Sequence, residues 1–161
     1  MPTAREIMQP KPRCVSPQTT LPELQRLLLG SRISGFPVVD GDRLVGVVSR
    51  SDVVRQLSVE QSVGEMLSDY QSESGEEMPD ETFLDRVAQH VGRRMEGLRV
   101  ADLMVPSPIT VPPDAPIEVV ARTLVDNRIH RLPVVEEGRL VGLVSSTDLV
   151  RLVAEGRLRS R

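Results

Sequence analysis

The chain is written twice. Met8 to Leu57 align without a gap on Met104 to Val153, ninety-six positions later. Pro10 meets Pro106, Pro17 meets Pro113, and Arg32-Ile33 meets Arg128-Ile129. Pro37-Val-Val39 meets Pro133-Val-Val135, and Arg43-Leu-Val-Gly46 meets Arg139-Leu-Val-Gly142. Self-similarity in one register means two copies of one supersecondary unit. A unit of about fifty residues buries little apolar surface alone. The copies are therefore expected to pack on each other around one core with approximate two-fold symmetry.

Within the first copy, Thr3 and Glu6 have capping-box spacing, so a helical turn is expected before Pro10 and Pro12. Arg13-Cys-Val15 is a short strand candidate. Thr20 to Leu29 reads as an amphipathic helix, with Leu21, Leu24 and Leu28 on one face. Phe36 to Val39 and Leu44 to Val48 read as two strands joined by the turn Asp40-Gly-Asp42, and Ser51 to Leu57 as a closing helix. The unit is βαββα, and two of them make an α+β fold.

The expected organisation is a first motif over 1–57, a connecting insert over 58–97, and a second motif over 98–161. The insert is far longer than an ordinary loop. Val59 to Leu67 reads as helix, the acidic stretch Asp69 to Asp80 as a mobile loop. Glu81 to Met95 reads as a second helix, with Phe83, Val87, Val91 and Met95 on one face. Arg157 to Arg161 is a basic tail.

Composition excludes several functions. The single cysteine, Cys14, forbids an intrachain disulfide and argues against a cysteine metal site; it reads as a small buried apolar residue. A net charge of −3 and 2% aromatic residues argue against nucleic acid as a partner. No apolar run approaches the roughly 20 residues of a membrane span, and Met1 to Pro10 lacks a signal-type apolar stretch, so a cytoplasmic protein is expected. There is no histidine cluster for a metal, no cysteine–histidine pair at useful spacing and no Gly-rich phosphate loop. The reading is a binding module rather than an enzyme.

The most informative phrase is Gly142-Leu-Val-Ser-Ser-Thr-Asp-Leu-Val150, matched by Gly46-Val-Val-Ser-Arg-Ser-Asp-Val-Val54. In each a buried strand runs into a helix at a Ser-x-x-Asp. That presents a hydroxyl, a carboxylate and free backbone N–H groups at one helix start, which attracts polar, anionic ligands. Alone, such a phrase is often only a helix cap.

With Ile33-Ser-Gly-Phe-Pro-Val-Val39 and Ile129-His-Arg-Leu-Pro-Val-Val135, these phrases resemble a tandem pair of cystathionine β-synthase (CBS) domains, a Bateman module. The resemblance covers about two-thirds of the chain. It implies no enzyme activity. It implies clefts between the copies that hold AMP, ADP, ATP or S-adenosylmethionine as regulatory ligands, and pairing into a homodimer. Asp52 and Asp148 match the family's ribose position, Ser49 and Ser145 its hydroxyl position, with Ser51 and Thr147 as donors near phosphate. One cleft would combine Ser49, Ser51 and Asp52 with Met104, Ile109, Ile129, His130 and Arg131; the other Ser145, Thr147 and Asp148 with Met8, Arg13, Ile33 and Ser34. On that grouping the Asp52 cleft, with His130 and Arg131, is expected to take phosphates more tightly. Arg50, Arg55 and Arg151 read as ordinary surface charges.

Two uses are open at this point. The chain is a sensor that binds an adenosyl ligand and alters its hold on a protein target the sequence does not name, or it is a structural homodimerisation module with empty or degenerate clefts. The closing helices carry Val53, Val54, Leu57, Leu149, Val150 and Val153, which suits a dimer face.

Overall fold

The computed structural model describes residues 1–31, 33–73 and 81–158. The chain runs α1 (Ala4–Ile7), β1 (Gln9–Pro10), α2 (Leu21–Ser31), β2 (Gly35–Asp40), β3 (Arg43–Ser49) and α3 (Arg50–Glu73). It continues through α4 (Glu81–Gly97), α5 (Val100–Leu103), β4 (Val105–Pro106), α6 (Ile117–Asp126), β5 (Arg131–Glu136), β6 (Arg139–Ser145) and α7 (Ser146–Ala154). The α+β class is as expected.

Three local expectations are corrected. Arg13–Val15 is not a strand; Val15 makes only an isolated bridge, and the strand of this region is Gln9–Pro10. Pro10, with no N–H to donate, suits the short β1 at the sheet margin, and Lys11 (φ 47°) then turns the chain away. Cys14, outside any strand, is exposed rather than buried. The closing helix and the helix after it are one element, α3, which also takes in Asp69–Glu73 of the acidic stretch. No proline interrupts Arg50 to Glu73, and Ser, Gln and Glu tolerate helix well enough for it to continue. The remainder of that stretch, 74–80, lies outside the described residues, as do the side chains of Phe83 and Val87.

The chain divides into two compact units, and these cut across the two copies. The first holds Met1–Cys14, Pro37–Val47 and Val105–Arg161; the second holds Val15–Phe36 and Val48–Met104. Each unit contains the entry turn of the other copy. In the first, Ala4 N–H donates to Ala115 C=O at 2.8 Å and Arg5 N–H to Pro113 C=O at 2.8 Å. In the second, the equivalent bonds run from Val100 N–H to Thr19 C=O at 2.8 Å and from Ala101 N–H to Pro17 C=O at 3.0 Å.

The first unit carries the sheet, apart from the two residues of β2 and of β3 that fall to the second. Among the described residues its path is β1-β6-β3-β2, with β4 on β3 and β5 on β6. β1 pairs with β6 at Gln9↔Leu143, and β4 with β3 at Val105↔Val47. These pairings are equivalent under the repeat, and Arg43↔Arg139, where β3 meets β6, joins two equivalent residues. Ala4, Val111, Val120, Leu124, Leu132, Val134 and Val144 form the core beneath. Leu132 and Val144 are fully buried, each worth about 1.5–3 kcal/mol by area removed from water.

The second unit is mostly helical. Leu21, Leu24, Leu28, Phe36, Val48, Val53, Met95, Val100 and Leu103 are buried in it. Packing of α3 on α4 includes a carboxylate. Glu60, 3% exposed, meets Arg94 Nε at 2.9 Å through Oε2, while Oε1 accepts from Gln56 Nε2 at 3.1 Å. With both oxygens satisfied the buried charge is tolerated.

Candidate ligand-binding site

In the first unit the site grows from the β5–β6 hairpin and the start of α7. The antiparallel register sets Arg131 opposite Ser145. Ser145 is the last strand residue and the N-cap, with extended φ −112° and ψ 161°. Its hydroxyl and its N–H both donate to Asp148 Oδ2, at 2.7 and 2.8 Å, and the hydroxyl accepts from Asp148 N–H at 3.3 Å. This reciprocal box satisfies groups a helix start otherwise leaves unpaired, and the helix dipole favours the carboxylate there. Arg151 Nη1 stands 3.6 Å from Asp148 Oδ1. Ser146 N–H donates to His130 C=O at 3.0 Å, which holds the loop before β5 against the helix start.

The second unit repeats this construction. Ser49 N–H and Oγ–H donate to Asp52 Oδ2 at 2.8 and 3.0 Å. Arg50 N–H donates to Ser34 C=O at 2.9 Å. Two features are particular to this copy. Arg50 Nη2 donates to Leu28 C=O at 2.7 Å and ties the end of α2 to the start of α3, where the other copy has Ser146. Arg55 Nη1 donates to Asp52 Oδ1 at 3.1 Å, closer than Arg151 comes to Asp148. Asp52 is correspondingly the more buried carboxylate, 7% exposed against 19%.

The remaining candidates fall as follows. In the first unit, Met8 and Ile129 are half-buried against the core and Met8 lies on Gly142, where an added Cβ would run into its sulfur. His130, Ile109 and Arg13 are exposed, and Arg131 is half-buried. In the second unit, Met104 and Ile33 are half-buried and Ser34 is exposed. Ser51 and Thr147 present exposed hydroxyls on the first turns of α3 and α7. Thus each Ser-x-x-Asp is brought together with the residues before the second strand of its own copy. His130 and Arg131 thereby neighbour Ser145 and Asp148, while Ser34 and Gly35 occupy their places beside Asp52.

Arg55 and Arg151, read from sequence as plain surface charges, both reach the site aspartates. Their signal was available: three residues on from an aspartate is the same helix face.

The CBS domain family model matches residues 4–59 and 100–155. The chain belongs to the CBS domain family. The CBS domain-containing protein CBSX1 of Arabidopsis thaliana, chloroplastic, is 34% identical over 85% of this chain and 57% of its own length. An uncharacterized protein of Methanocaldococcus jannaschii is 33% identical over 91% of this chain and 88% of its own. The crystal structure of CBSX2, also from Arabidopsis thaliana, in complex with AMP superposes with a TM-score of 0.70 at 28% identity, over 96% of this chain and 98% of that one. The chain spans about three-fifths of the length of the two chloroplastic relatives. Among the described residues no helix of this CBS pair is long and apolar enough to cross a membrane.

Proposed function

We propose that this CBS pair is a non-catalytic sensor whose two Ser-x-x-Asp helix starts hold the ribose of an adenosine-containing ligand. The supporting observation is that Ser49–Asp52 and Ser145–Asp148 adopt the same geometry, in a family where CBSX2, at 28% identity, was crystallised with AMP. Ser51 and Thr147 supply hydroxyls, and Met8, Ile33, Met104, Ile109 and Ile129 are the apolar residues available to adenine. Because the hairpin register sets Arg131 opposite Ser145, with His130 beside it, phosphate preference is assigned to the Asp148 copy. Arg131 brings a permanent planar charge and His130 a charge that varies near neutral pH. The ligand class is AMP, ADP, ATP or S-adenosylmethionine, and the setting proposed is cytoplasmic.

The same reading includes a homodimer and a protein target whose affinity the ligand shifts. Val54 and Leu57 on α3, and Val150 and Val153 on α7, are exposed apolar residues of the kind an interface covers. Light scattering across micromolar concentrations tests the dimer; a monomer mass throughout overturns it. One observation favours the alternative, a structural module without ligand: Oδ2 of each aspartate already accepts from its serine, and an arginine faces each Oδ1, bonded at Asp52 and at 3.6 Å from Asp148. A thermal-shift panel with AMP, ADP, ATP, S-adenosylmethionine and NAD decides between them. A ligand at 100 times its dissociation constant stabilises by about 2.7 kcal/mol, and no shift with any adenosyl compound leaves the structural module standing.

A further inference from the structure

We propose that Arg55 and Arg151 are guards on the ribose-binding carboxylates, competing with the ligand's hydroxyls for Oδ1, and that the guard is tighter at Asp52 than at Asp148. This rests on the ribose reading of the two aspartates. It begins with a count of acceptor positions. An ionised carboxylate offers about four lone-pair directions, two on each oxygen. At Asp52, Oδ2 has accepted two donors, the Ser49 N–H and Oγ–H, at 2.8 and 3.0 Å. Oδ1 has accepted a third, Arg55 Nη1, at 3.1 Å. A vicinal diol brings two O–H groups. One finds the remaining position on Oδ1; the second needs a position already taken.

Either of two residues could give way, Ser49 or Arg55. The Ser49 bonds belong to the cap of a 24-residue helix, and breaking them exposes unpaired groups at its start. Arg55 is 70% exposed, so its guanidinium can swing into water and be rehydrated. Only the guanidinium end of this pair is exposed, and the incoming hydroxyl takes over its bond to the buried carboxylate, so this is the cheapest of these contacts to exchange. The diol therefore displaces arginine. At Asp148 the same displacement costs less, because Arg151 Nη1 stands at 3.6 Å, beyond hydrogen-bond reach.

The guard is a selector. A neutral nucleoside must displace the arginine and gains nothing from its charge. A phosphorylated ligand meets the same displacement but recovers attraction from a freed cation one helical turn away. Each arginine thus disfavours adenosine relative to adenosine phosphates; this increment is larger at Asp52, while the higher affinity for phosphate itself stays with the Asp148 copy, beside Arg131 and His130.

Calorimetry of the full chain with adenosine, 2′-deoxyadenosine and AMP tests this, using wild type, Arg55→Ala, Arg151→Ala and Asp52→Ala. Arg55→Ala should tighten adenosine by about two- to fivefold, the size of effect a pair with a solvent-exposed arginine gives. It should tighten 2′-deoxyadenosine less, since one hydroxyl needs one position, and should weaken AMP or leave it level. Arg151→Ala should tighten adenosine by a smaller factor. On the wild type alone, raising NaCl from about 50 to 500 mM should strengthen adenosine binding by screening the guard. That dependence should flatten in Arg55→Ala. Adenosine affinity that falls or stays unchanged in Arg55→Ala, with no salt-induced gain in wild type, overturns the guard while leaving ribose binding intact. If Asp52→Ala leaves the wild-type heats of both nucleosides and AMP unaltered, the ribose reading at Asp52 has failed instead.

Discussion

Ser49 and Ser145 open helices of very different reach. α3 runs for 24 residues and packs on α4, whereas α7 runs for nine. The short one ends at Gly156 in a left-handed conformation (φ 67°), with Arg157 N–H returning to Leu152 C=O at 3.0 Å. The same Ser-x-x-Asp box starts both, yet the surroundings have diverged. The first copy has spent its polar groups on structure: Arg50 caps α2, Arg55 closes on Asp52, and Gly35 lets β2 lie against β3. The second has Ser146, a more distant Arg151, and Arg131 in place of Gly35. Equivalent letters give equivalent backbone; the neighbouring letters decide whether a site is braced or left accessible.

The sharpest way to break this comparison is to remove each carboxylate. Hydrogen bonds to a charged group contribute roughly 1.5–3 kcal/mol each. Asp148→Ala should weaken the tightest AMP binding by tenfold or more in calorimetry, and Asp52→Ala should weaken it less. The reverse order would return the phosphate preference to the Asp52 copy.

Gly35 comes next. A Cβ there would stand 2.7 Å from Val48 C=O and 3.2 Å from Ser49 Cα, backbone atoms with little room to move. Gly35→Ala should lower stability by about 1–3 kcal/mol, the usual cost of overpacking. Urea melts would show it, and an unchanged midpoint would mean that the two hairpins are not packed differently.

The caps differ less. Ser145 Oγ accepts from Asp148 N–H at 3.3 Å as well as donating to the carboxylate at 2.7 Å, whereas the Ser49 hydroxyl donates to Asp52 at a longer 3.0 Å. Ser145→Ala should cost about 1 kcal/mol, and Ser49→Ala a smaller amount. Equal losses would make the two caps interchangeable.

The smallest effect lies at the entry turns, where Thr3–Glu6 is matched by Arg99–Asp102. Glu6 is held below its ordinary value first by the Thr3 N–H and then by the Thr3 hydroxyl. A carboxylate lowered in the folded state adds stability above its unfolded value and loses it as pH falls through the folded one. Between pH 6 and 3, wild type should therefore lose more stability than Glu6→Gln; parallel acid limbs in urea melts would remove Glu6 from the account.

The sequence by itself determined the duplication, both hairpins, the helix starts and the family. Each of these depends on short-range pattern: apolar spacing along α2 and α6, strand pairs around Asp40–Asp42 and Glu136–Gly138, and boxes closed three residues apart. Tertiary structure decided the rest. The bonds that place the entry turn of each copy in the other's compact unit, Ala4 to Ala115 and Val100 to Thr19, are backbone to backbone. Every residue except proline carries the same N–H and C=O, so no side-chain letter announces such a partner. The same holds for the crowding at Gly35 and Gly142, whose neighbours Val48 and Met8 are fixed by strand packing and chain path. Arg55 and Arg151 stand between these cases: their spacing from Asp52 and Asp148 is legible, but the 3.1 and 3.6 Å that separate a bonded guard from a loose one, and the 7% and 19% exposure of the two carboxylates, are visible only in the folded chain.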